Sequence, residues 1–455
     1  MTSVWYLKGL SDLIAGTMTK SWAPACSDLG APSGKGVQLE LPTENSLSPA
    51  PTYHLMLTKA YKQHLQIVLC LLSFYFISTH YMSIMPPTRQ HDDFSKYTDW
   101  IFLPYVHRFS TDLVPEVHAT IGGIDFELPV DTGSTGLMIG APRLPHISLD
   151  EGEPAYEYLT SSRILYNGRL VNQSITFHGE YGAYATATVP ILVVDRSMVC
   201  PWYKPGIDGF DCPIIPGRRY PEFRDVSRIT YMGVGFGRNT LYDNKPKALP
   251  SGNPFLNLRS INGSELPLGS LRTGYTISIE GVHLGLTATN AAGFLWTGLE
   301  KGVTHASDPR DWAMVKMCFE INGEGNNCGS ALIDTGIPQM YLRTDVGVET
   351  PNVTIRNPNK EGDAEYVRRV KFGTKIMIGF PTLEGKDHVI GYSVEVGQEK
   401  PMAPTYVVPT KQAPPPYVNT GRNFLRGMDV AFDADGGRFG FRPRHPPSQT
   451  SHASL

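Results

Sequence analysis

The sequence predicts a mainly β protein built as two large lobes, and three observations carry that expectation. Glycine (45) and proline (37) are plentiful beside 22 Tyr and 19 Phe, a composition suited to many short strands joined by turns. Apolar and polar residues alternate in short runs along much of the chain, whereas helical periodicity is scarce. At 455 residues the chain is about three times a typical domain, enough for two lobes with appendages. Hydrophobic residues at 41% supply a sizeable core, and charged residues at only 18% argue against wholesale disorder. With 40 Lys and Arg against 43 Asp and Glu, the formal charge of -3 gives no electrostatic case for a nucleic-acid partner.

Residues 1–55 are interrupted throughout by Pro, Ser and Gly, as in APACSDLGAPSGKG, and read as a disordered extension. Residues 56–85 contain LQIVLCLLSFYFI at 65–77, preceded by Lys59, Lys62 and His64, the order of a charged region followed by an apolar one. The run is shorter than the about 20 apolar residues of a membrane span. It therefore reads as a secretory signal peptide, with a signal anchor as the alternative. Its position inside the chain suggests that translation starts at Met56. Residues 86–113 read as a linker or short propeptide.

From residue 114 the strand signals become regular. EVHATIGG and IDFELPV form a hairpin pattern around Gly122-Gly123. SITFHG, ATATVPILVV, GYTISIEGVHLGL, MVKMCFEI, YSVEVG and MDVAFDADGGRFGFR continue the pattern, and KALPSGNPFLNLRS offers one or two helical turns at most. The boundaries expected are an N-terminal lobe over 114–273, a C-terminal lobe over 274–442 and a frayed tail over 443–455.

Cysteine usage points to an oxidising compartment. Cys200 with Cys212, and Cys318 with Cys328, each close a short loop and read as disulfides. Four cysteines allow three pairings, and free buried thiols are the alternative. Asn172, Asn262 and Asn352 each open an N-x-Ser/Thr triplet usable for glycosylation on a secretory route.

The chemistry concentrates in PVDTGST at 129–135 and LIDTGIP at 332–338. In each, a hydrophobic strand breaks into a glycine-enabled turn directly at an Asp. One Asp-Thr-Gly arises by chance in roughly one chain in ten of this length. Two copies in the same setting, one in each half, are far less expected from chance. The bland alternative is a pair of strand-end turns in which each Asp caps its own backbone. Two carboxylates held within hydrogen-bond range share one proton, so one can act as base while the other acts as acid on a water between them.

At these residues the sequence resembles the pepsin-like aspartic protease family, as a diverged, fungal-type secreted member. VHATIGGIDFELPVDTGSTGLMIG at 117–140 resembles the family's opening hairpin and first active-site loop. ITYMGVGFG at 229–237 is similar to the strand beside that loop, and NFLRGMDVAFDADGGRFGF at 423–441 to the closing segment. The resemblance covers 114–442 and implies a bilobal fold with a cleft between two pseudo-symmetric lobes. It implies Asp131 and Asp334 as the catalytic pair, with Thr132 and Thr335 bonding across the loops and Ser134 donating to Asp131. Gly133 and Gly336 permit the tight turns. The implied activity is that of a secreted endopeptidase, a monomer acting on extended polypeptides without metal or cofactor.

Departures from the family pattern are specific. Ile337 stands where a hydroxyl residue is usual, so Asp334 is expected to lose a hydrogen bond and to have a raised pKa. Thr135-Gly136-Leu137-Met138 lacks the usual tryptophan, and Val418-Asn419-Thr420-Gly421 is more polar than the family's second such element. Tyr158, Tyr166 and Tyr181 are the candidates for a flap tyrosine; partly buried sheet aromatics are the alternative. No His or Cys spacing suits zinc. The alternative function is a catalytically weak or silent relative serving as a secreted or cell-surface protein-binding module, with membrane attachment only if residues 65–77 stay uncleaved.

Overall fold

The computed structural model describes residues 93–159, 162–217, 220–238, 249–358 and 365–444. These fall in the second of two units, His91–Leu455, whereas Met1–Gln90 lies outside the described residues, and with it the expected extension and signal segment. Almost all of the tail expected at 443–455 lies outside them as well.

The fold is mainly β, with strands arranged in sheets of ten, seven, six and two members. In the ten-stranded sheet, Glu116–Ile121 and Ile124–Pro129 pair antiparallel from Glu116↔Pro129 to Ile121↔Ile124. Gly122 and Gly123 close this hairpin at φ of 58° and 79°, a region that L side chains avoid. Val117, Ala119 and Ile121 point into the core while His118 between them is exposed, the alternation expected of a half-buried strand. A second hairpin, Ile164–His178 with Tyr184–Val199, forms the sheet's longest ladder.

The seven-stranded sheet centres on Val315–Ile321 and Glu324–Leu332, with Tyr417–Asn419 lying parallel to the end of the latter. The six-stranded sheet joins Gly274–Ile277, Gly281–Leu284, Leu295–Gly298, Met428–Asp433 and Arg438–Pro443. Its sixth member is Ile101–Pro104, which pairs with Gly281–Leu284. The described part of the stretch 86–113 thus contributes a strand to this sheet. Ile101 and Leu103 are buried, and burying two apolar side chains in a sheet edge favours integration over a free segment. The stretch 249–260 gives two single 3₁₀ turns, Pro250–Gly252 and Pro254–Leu256.

Met428–Asp433 is buried at every residue, so its polar side chains need partners. Asp433 is fully buried and accepts from Arg272 Nε at 2.7 Å and Nη2 at 2.9 Å, and from Arg438 Nη2 at 2.7 Å. Asp429 is held by Arg442 and Arg444.

Both disulfides form, as Cys200–Cys212 and Cys318–Cys328, the latter between directly opposed residues of adjacent strands. Two disulfides fit an oxidising, extracellular environment. Among the described residues no helix is long and apolar enough to cross a membrane. Of the three N-x-Ser/Thr triplets, Asn172 is exposed on a strand. Asn262 sits in a turn with φ of 51°, its Oδ1 accepting from Tyr184 N. Asn352 is half-buried and donates to Thr350 O.

Candidate active site

Each Asp-Thr-Gly follows a strand that cannot continue. Ile124–Pro129 ends at a proline, and Asp131 then takes its backbone bonds from another strand: its N–H donates to Met232 O, and its C=O accepts from Val234 N at 2.8 Å. In the second loop, Glu324–Leu332 runs parallel to Tyr417–Asn419, and Thr420 N donates to Leu332 O at 3.0 Å. Thr230–Val234 and Tyr417–Asn419 thus flank the two turns in corresponding ways.

The loops are locked to one another by their threonines. Thr132 N donates to Thr335 Oγ1 at 2.9 Å, and Thr335 N donates to Thr132 Oγ1 at 3.1 Å. Each hydroxyl then donates to the carbonyl preceding the other's aspartate, Thr132 to Ile333 and Thr335 to Val130. Both threonines are buried, so the four bonds are shielded from water, and neither residue merely satisfies its own turn.

This lock brings the carboxylates together. A Cβ on Gly336 would lie 2.5 Å from Asp131 Oδ1 and 3.0 Å from Asp334 Oδ1, so these oxygens are at most 5.5 Å apart. A Cβ on Gly133 would lie 2.3 Å from Asp334 Cγ. Glycine is required at both places because each loop's backbone is seated against the other loop's carboxylate.

The oxygens are oriented by short donors. Asp131 Oδ1 accepts from Gly133 N at 2.7 Å, and Oδ2 from Ser134 Oγ at 2.6 Å. Asp334 Oδ1 accepts from Gly336 N at 2.8 Å, and Oδ2 from Asn419 Nδ2 at 2.6 Å. Gly421 N in turn donates to Asn419 Oδ1, fixing which end of the amide faces the acid.

Asn419 corrects one expectation. The donor missing at Ile337 is supplied from the neighbouring strand, so Asp334 is not short of a hydrogen bond. Its pKa is nonetheless pushed up to about 7, by burial first and by Asp131 second, with Asn419, Gly336 and Arg238 acting in the opposite direction. The raised value thus has a different cause from the one that the sequence suggests.

Two tyrosines face the pair. Tyr231, half-buried on Thr230–Val234, has its hydroxyl pKa raised by burial and then by Asp131 and Asp334. Tyr417 is likewise raised by burial first and by Asp334, with Arg238 acting in the opposite direction. The three tyrosines singled out as flap candidates lie in other surroundings. Tyr158 is buried against Tyr203 and the Cys200–Cys212 region, its hydroxyl donating to Cys200 O. Tyr166 is buried with Met138, Leu192 and Ile229. Tyr181 is fully exposed at a hairpin tip with φ of 55°.

Among the described residues, one group could hold a cation: His107, Glu116 and Glu127, with ligand atoms within 4.8 Å of one another. Glu116 and Glu127 lie on the hairpin that leads into the first Asp-Thr-Gly, with His107 exposed beside them. No protein-family model matches the chain, and no curated protein matches it.

Proposed function

We propose that the chain is an aspartic-type endopeptidase of pepsin-like, bilobal design, with residues 114–273 and 274–442 each supplying one catalytic Asp. The observation that carries this reading is the reciprocal threonine lock, which seats two carboxylates against each other's turns. Two isolated strand-end turns would have no reason to exchange four buried bonds.

In this mechanism the pair shares one proton because both members cannot ionise cheaply at such separation. Asp334, buried and with its pKa pushed up to about 7, is suited to hold that proton in mildly acidic solution. Both acids accept two hydrogen bonds, but Asp131 is only half-buried where Asp334 is buried, so the negative charge is better hydrated on Asp131. A water between them loses a proton to Asp131 as it attacks the peptide carbonyl, and Asp334 donates to the developing oxyanion. Asp131 then passes its proton to the amide nitrogen as the C–N bond breaks, and Asp334 takes a proton back from the diol hydroxyl as the carboxyl product forms, so the pair returns to its starting state. Substrates are extended polypeptides, and the two disulfides suit secretion.

The test is hydrolysis of an unfolded protein across pH 3 to 8, with and without a statine-type peptide, beside Asp131→Asn and Asp334→Asn. Inhibitable cleavage lost in both variants supports the proposal. A folded wild-type protein that cleaves nothing over that range overturns it in favour of a binding module.

A further inference from the structure

Arg422 follows Gly421 directly and is only 3% exposed. Its backbone N–H donates to Ile337 O at 2.8 Å, and its Nη2 donates to Gly336 O at 2.6 Å, so main chain and side chain both grip the second dyad turn. Its remaining donors, Nε and Nη1, are buried without a hydrogen-bond partner. A guanidinium held in this way is costly, because its charge has left water and most of its donors are idle. The residue it grips lies against both acids, since a Cβ on Gly336 would be 2.5 Å from Asp131 Oδ1 and 3.0 Å from Asp334 Oδ1, and the carboxylates acting on its charge are Asp334 and Asp131, followed by the exposed Asp112.

We infer that Arg422 is a positioning residue for the dyad, holding the Gly336 turn in place and serving as the buried counter-charge to the two aspartates as they ionise. This rests on the reading of Asp131 and Asp334 as a proton-sharing pair, but not on their cleaving peptides. The other groups facing the pair do not fill the role. Arg238 acts on Asp334 but is exposed, so solvent screens it. Tyr231 and Tyr417 are neutral acids, and Asn419 and Ser134 offer donors without charge.

The consequence has a distinctive sign. At the acid end of this range Asp334 holds the shared proton and the dyad carries at most one negative charge, so removing Arg422 should cost least there. As pH rises and Asp334 ionises as well, Arg422 offsets a second buried charge and removing it becomes progressively harmful. A residue that only held Gly336 O would contribute equally at every pH.

The experiment is thermal unfolding of the full chain from pH 4 to 8 for the wild type, Arg422→Met and Arg422→Lys, each also in an Asp334→Asn background. The Tm of Arg422→Met relative to wild type should fall by at least about 2 °C across that range. That slope should shrink when Asp334 is Asn, and Arg422→Lys, which keeps the charge, should retain the wild-type slope. A difference that stays constant with pH, or a slope unaffected by Asp334→Asn, overturns the inference. Should the Met variant fail to fold, Arg422→Gln is measured in its place with the same two outcomes. Because the readout is stability, a protein without peptidase activity still decides the question.

Discussion

Asn419 offers the most direct handle on the electrostatics of the dyad. Its Nδ2 donates to Asp334 Oδ2 at 2.6 Å inside a buried site, a bond that favours the ionised acid. Asn419→Leu keeps the approximate volume and deletes the donor. Hydrogen bonds to charged groups contribute about 1.5–3 kcal/mol, and one pH unit corresponds to about 1.4 kcal/mol. Losing this bond should therefore move the dyad's last deprotonation upward by about 1 to 2 pH units. The sign follows from the charged form alone losing its partner, while the neutral acid is little affected. The assay is the alkaline limb of the pH profile of kcat/KM, which reports ionisations of the free enzyme. A carbon NMR titration of the Asp334 carboxyl gives the same information without turnover. An alkaline limb left in place, or moved towards lower pH, would refute the assignment of Asn419 as the outer donor.

The same site and core predict three further outcomes. Asp334→Asn should raise stability relative to wild type as pH increases: the carboxyl's pKa is pushed up to about 7 in the folded protein from an ordinary value near 3.8, so the wild type loses stability through that window and levels off above it. Chemical denaturation at pH 4 and pH 8 reads this slope, expected to be on the order of a few kcal/mol, and a pH-independent difference would count against it. Gly133→Ala places a methyl 2.3 Å from Asp334 Cγ and should displace the acid, lowering kcat by about 100-fold or more with the fold retained by circular dichroism; full activity would show that the loops are not in contact. Asp433→Ala strips the shared partner from Arg272 and Arg438 and should destabilise the fold by about 3–5 kcal/mol in urea titrations.

What the sequence makes legible is what repeats locally. The hairpin over 116–129 is readable because Gly122-Gly123 sits between alternating runs, and the two Asp-Thr-Gly turns because each interrupts a hydrophobic strand. Long-range pairing is what escapes it. Ile101–Pro104 is only four residues long, and its partner Gly281–Leu284 lies far along the chain, so its pattern resembles any short apolar run. Asn419 is visible as a polar residue in an apolar motif, but its role depends on the parallel register Leu332↔Asn419, which aims it at the next loop. Arg422 is readable only as a charge near the closing segment; its burial against Gly336 O is a tertiary fact. Tyr158 and Tyr166 show the converse, since a tyrosine beside a turn has the same local sequence whether it covers a cleft or packs in a sheet.

A shared-proton mechanism requires both carboxylates to act on one atom. A crystal structure with a statine-type peptide bound measures this most directly. The peptide's hydroxyl should hydrogen-bond to oxygens of Asp131 and Asp334 together, with the threonine lock intact beneath it. A peptide bound elsewhere, or a hydroxyl touching one aspartate alone, would contradict the shared-proton mechanism.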